Sequence, residues 1–79
     1  MIWIDFDTLT EAKVDALREC VHLRADGYII YLSYSLDNVW VIRLKHSLNR
    51  RKMTMRVYND LWTLYRGDDM VKAKSFPKR

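Results

Sequence analysis

The chain is 79 residues long, 49% apolar and 30% charged, with one cysteine and a formal net charge of +4. A chain of this length makes one small domain. Its apolar share excludes disorder, Cys20 alone excludes an internal disulfide, and no stretch approaches the ~18 apolar residues of a membrane span.

Residues 1–6 (MIWIDF) are apolar, with β-branched and aromatic side chains at several positions, and read as a buried strand joining the main sheet. They lack the positive flank and long apolar run of a signal peptide. Residues 8–25 read as a helix. Thr8 with Glu11 makes a capping box; Thr10 as cap, with Leu9 and Val14 as a staple, is an equally good start. Leu9, Ala12, Ala16, Cys20 and Leu23 line one face, widened by Leu17 and Val21. Glu11, Asp15, Arg18, Glu19 and His22 lie opposite, on the wet side. Asp26-Gly27 ends the helix.

Residues 28–35 and 39–46 read as a hairpin. A three-residue loop, Leu36-Asp37-Asn38, sets Tyr34 against Trp40, Leu32 against Ile42 and Ile30 against Leu44, keeping apolar residues on one face. A two-residue loop sets Leu32 against Arg43 and mixes the faces, so the pattern favours three. Residues 52–58 alternate, with Met53, Met55 and Val57 inward and Lys52, Thr54, Arg56 and Tyr58 outward. Residues 60–66 suit a fourth strand, with Trp62 against Val57 and Leu64 against Met55; a short C-terminal helix capped by Asp60 is the alternative. Residues 70–75 suit an edge strand, and residues 76–79 a basic tail.

The expected fold is α+β. One amphipathic helix covers an antiparallel meander of three to four strands, with an added N-terminal strand. Residues 1–75 form the single domain. The α-β-β-β-α arrangement is the alternative. The chain reads as a complete small protein in the cytoplasm.

Chemistry-bearing residues are sparse. Asp5 and Asp7 are a weak magnesium pair, because a carboxylate before a helix is equally a capping residue. Cys20 lies on the apolar helix face, where a thiol is ordinarily inert, and His22 points elsewhere. One Cys and two His cannot complete a structural zinc site. The two glycines are isolated, so no glycine-rich phosphate cradle exists. These residues point to a protein that is not an enzyme and carries no cofactor or metal.

Charge supplies the remaining signal. Residues 1–40 hold three basic and seven acidic side chains, and residues 41–79 hold eleven basic and three acidic. Such asymmetry concerns partners. The strand phases gather Arg43, Lys45, Lys52 and Arg56 on one outer face with Tyr31 and Tyr58, and Arg50 and Arg51 on a loop beside them. Cations for phosphates and rings for bases suit nucleic acid. The pI of about 9.4 agrees with that. An acidic protein surface is the other candidate partner. The chain would then be an inhibitor or adaptor of the stand-alone size that phage and mobile elements direct at host machinery, for example nucleic-acid-processing or defence proteins, acting in the host cytoplasm. A plain solvated sheet face competes with both. The acidic helix face suggests a contact with a neighbouring copy, as in a homodimer.

Overall fold

The computed structural model describes residues 10–76. The expected N-terminal strand, the Thr8 box, the Leu9 staple and the Asp5/Asp7 pair lie outside these residues.

Helix α1 runs Glu11–Ala25. Thr10 is its N-cap, in extended conformation, and its hydroxyl accepts from the Lys13 amide at 3.3 Å. This satisfies one of the unpaired donors of the first turn. Ala12, Ala16, Cys20 and Leu23 are the buried residues of the helix. Three of the four are small, so the helix backbone lies close to the sheet. Val21 is 65% exposed and does not widen this face as expected.

Five strands follow: β1 (Tyr28–Leu36), β2 (Val39–His46), β3 (Lys52–Val57), β4 (Leu61–Arg66) and β5 (Asp69–Ser75). They form one antiparallel sheet in chain order. The α+β class therefore holds, with five strands among the described residues instead of three or four. Residues 61–66 are a strand, which removes the alternative C-terminal helix. Trp62 opposes Val57 and Leu64 opposes Met55, as the alternation requires. Met53 and Met55 are core residues. Phe76, assigned from sequence to a tail, packs against the core, and its amide donates to the Asp60 carbonyl at 2.6 Å.

The inner face of the sheet is the core. Ile42, Leu44, Met55, Val57 and Trp62 are its largest fully buried side chains. Each gains about 1.5–3 kcal/mol over exposure. The Trp62 indole N–H donates to Asp15 at 2.9 Å, and Cys20 Sγ lies 3.8 Å from Met55 Sδ. Burial pushes the Cys20 thiol up to about 11, with the neighbouring Glu19 charge adding to the effect.

The β1–β2 register departs from expectation. The loop has two residues, Asp37 and Asn38, both with positive φ (51° and 65°). That is the signature of the turn whose twist matches a hairpin. Ile30 still opposes Leu44, but Leu32 opposes Arg43, Ser33 opposes Ile42 and Tyr34 opposes Val41. A bulge between Ile30 and Leu32 takes up the difference. The turn sets the phase at one end and the Ile30–Leu44 pair sets it at the other, and one extra residue, Tyr31, reconciles them. In consequence Leu32 and Tyr34 lie on the outer face. Ser33 and Ser35 take the inner positions, and the Trp40 indole N–H donates to the Ser33 hydroxyl at 2.6 Å.

At the far end, the β2–β3 loop is fastened to the helix terminus through His46. Its Nδ1 accepts from the Leu48 and Asn49 amides, so the proton sits on Nε2, 3.0 Å from the Asp26 carbonyl. Gly27, at φ 102°, lies under this ring; a Cβ there would come within 2.8 Å of Nε2. The Ser47 amide adds a bond to the Gly27 carbonyl at 2.9 Å.

The expected wet face of α1 is also corrected. Glu19 pairs with Lys72 at 3.1 Å, and Asp15 with Lys74 at 3.3 Å. Two of the carboxylates assigned to a neighbouring copy are thus engaged within the chain. Among the described residues no helix is long and apolar enough to cross a membrane.

Candidate functional site

Residues on the outer face line up in rows across the strands. Lys45 on β2 stands directly opposite Lys52 on β3. The next row runs Leu32, Arg43, Thr54, Tyr65. The row after it runs Tyr34, Val41, Arg56, Thr63, Ala73. Arg43, Lys45, Lys52 and Arg56 therefore share one surface, as the strand phases require. The stretch from Lys45 to Val39 carries this surface along about 20 Å of strand.

Rings hold two of the cations. Lys52 Nζ lies 5.9 Å from the Tyr31 ring centre, and the Arg56 guanidinium lies 5.3 Å from that of Tyr65. Contacts of this kind contribute about 0.5–1 kcal/mol at exposed sites. They also fix where the charge sits. None of Arg43, Lys45, Arg50, Arg51, Lys52 and Arg56 is ion-paired with a described carboxylate. The helix carboxylates face the other side of the sheet and neutralise Lys72 and Lys74 instead.

Arg50 and Arg51 lie on the loop at the Lys45–Lys52 end, both exposed. Asn49 Oδ1 accepts from the Arg51 amide at 2.9 Å, and the Arg51 carbonyl accepts from the His46 amide at 2.8 Å. Arg50 has φ 60°, the left-handed region. A non-glycine residue there costs about 1 kcal/mol.

The opposite end of the face holds a depression of about 260 Å³ beside the hairpin turn. Tyr34, Tyr58, Val41, Arg43 and Arg56 line it, with Asp37 at the tip. Sequence reasoning missed Tyr34 and Leu32 as members of this surface, because the bulge that turns them outward leaves no trace in the apolar pattern, and missed Leu36 by assigning it to the loop. Leu36 is 62% exposed and Leu32 43%. Thr63 is buried on this face, and its hydroxyl has no hydrogen-bond partner among the described residues.

The residues considered for catalysis are dispersed. Cys20 is buried under the helix, His22 is exposed on it, and His46 is committed to the loop contacts above. Among the described residues no three of His, Cys, Asp or Glu converge as metal ligands do. The chain matches no protein-family model, and no curated protein or solved structure is significantly similar to it.

Proposed function

We propose that this chain is a small non-catalytic binding protein whose basic, tyrosine-bearing sheet face engages a polyanion, with nucleic acid the favoured ligand. The observation that carries the reading is the placement of Lys45 against Lys52. Like charges directly opposite on a sheet destabilise it, and no described carboxylate offsets them. A phosphate backbone laid along β2 and β3 supplies the missing counter-charge. Arg43, Lys45 and Arg56 are the central contacts, Arg50, Arg51 and Lys52 the clamp at the loop, and Tyr31 and Tyr58 the rings beside them.

Oligonucleotide affinity measured over a salt series tests this. Affinity should fall steeply with salt, with a logarithmic slope of about 0.7–0.9 per phosphate contact. The triple variant Arg43→Thr, Lys45→Thr, Arg56→Thr keeps strand-forming residues. It should fold normally and lose affinity by more than about tenfold at low salt. Unchanged affinity in the folded triple variant would remove this surface from consideration.

A second reading is an inhibitor or adaptor seated on an acidic protein surface. It is supported by Leu32, exposed opposite Arg43, and by Leu36, exposed at the hairpin end of the same face, since apolar side chains among arginines suit a protein interface. A stoichiometric protein partner that survives nuclease treatment would favour it.

A further inference from the structure

We infer that the ligand of this face is single-stranded nucleic acid, with one unpaired base seated in the depression between Tyr34 and Tyr58; this rests on the polyanion reading above. The first argument is width. The cations sit on β2 and β3, which are flanked by β1 on one side and by β4 and β5 on the other. Five strands span about 19 Å, whereas the major groove of B-form DNA is about 12 Å wide. The cationic strands do not enter that groove face-on in an undeformed duplex, so the sheet meets unbent B-form DNA at its outer phosphates. A single strand can lie along the sheet and turn its bases toward it.

The second argument is the supply of rings. Tyr31 is 44% exposed and Tyr34 37%, both on β1, next to the cations of β2. This pairs a phosphate track with a stacking track one strand over, the arrangement single-strand binders use. The bulge at Tyr31 creates it by bringing Tyr34 to the outer face.

The third argument is the depression itself. At about 260 Å³ it falls just below pockets that hold drug-sized ligands, about 300–1,000 Å³. That size accommodates one flat heterocycle. Val41, 8% exposed, gives it an apolar bottom. Arg43 and Arg56 stand beside it for the flanking phosphates. Asp37 at the tip repels phosphate and offers an acceptor to a base amino group, so the backbone runs from the depression toward the Arg50 loop.

Fluorescence anisotropy with a labelled single strand of about a dozen nucleotides, and with the same strand annealed to its complement, is the test. The single strand should bind at least about tenfold more tightly than the duplex at matched salt. Tyr34→Ala should weaken single-strand binding about tenfold without changing the salt slope, because a ring contact releases no counterions. Tyr34→Phe should restore it. Photocrosslinks from a bromouridine-bearing strand to the unmutated protein should map to Tyr34 or Tyr58, which keeps the test valid if the alanine variant misfolds. Duplex binding as tight as single-strand binding, or crosslinks confined to the Arg50 loop, would overturn the inference and leave the polyanion reading in place; crosslinks confined to α1 would overturn both. Binding to neither at low salt would overturn both, and leave an acidic protein as the partner.

Discussion

Asp15 shows how much depends on one side chain. It accepts from the buried Trp62 indole and from Lys74, and so ties α1 to both β4 and β5. The Trp62 hydrogen bond holds its carboxyl below the ordinary 3.8; burial opposes this, and Lys74 reinforces it. Asp15→Ala leaves an indole N–H buried and unpaired, and should cost about 1–3 kcal/mol at neutral pH in urea unfolding. Asp15→Asn keeps an acceptor and removes the charge, so its deficit should be smaller. Because the folded value is depressed, the charge contributes fully above the unfolded value. That contribution is lost as pH falls through the folded one. The gap between wild type and Asp15→Asn should therefore be present at pH 7 and close on acidification below 3.8. A gap that persists at the acid end would mean the charge contributes nothing. Neither partner was readable from the helix pattern, since Trp62 and Lys74 lie 47 and 59 residues along the chain.

At the level of elements, legibility followed locality. The buried stripe through Ala12, Ala16 and Cys20 and the alternation of β3 each depend on neighbours a few residues away, and both were legible; the helix start was narrowed to Thr8 or Thr10, of which Thr10 is the cap. The hairpin was not, because two local rules disagreed. Apolar pairing favoured a three-residue loop, while Asp37-Asn38 favoured a two-residue turn. The chain satisfies the pairing at Ile30–Leu44 and the turn at its tip by inserting Tyr31. Four of the face cations, Arg43, Lys45, Lys52 and Arg56, were nonetheless placed correctly, because β2 and β3 carry no such conflict. The β2–β3 loop carries its own prediction. Arg50 is in the left-handed region, so Arg50→Gly should match or exceed wild-type stability, by up to about 1 kcal/mol. The same variant should bind oligonucleotides less tightly, with the logarithmic salt slope reduced by about one. Undiminished binding in a folded Arg50→Gly protein would take Arg50 out of the clamp.

For the whole molecule, the two faces of the sheet divide the charge. The helix face is locally balanced by ion pairs at 3.1 and 3.3 Å, while the outer face holds unbalanced cations. Salt affects these differently. Contact pairs lie well inside the Debye length, whereas repulsion among the cations acts over longer distances. Raising ionic strength from about 0.01 to 0.15 M shortens that length from about 30 to 8 Å. Repulsion is screened more than attraction, so the Tm should rise by a few degrees over this range. A flat or falling Tm in calorimetry would show that the outer cations do not strain the fold. Cys20 adds a different consequence. Its sulfur is sealed beneath α1 against Met55 and held as the unreactive thiol. Alkylating reagents should reach it only when the helix lifts from the sheet. The modification rate then serves as a stopwatch for that opening, and slower labelling with oligonucleotide present would register ligand at the far surface of the sheet without any probe attached there.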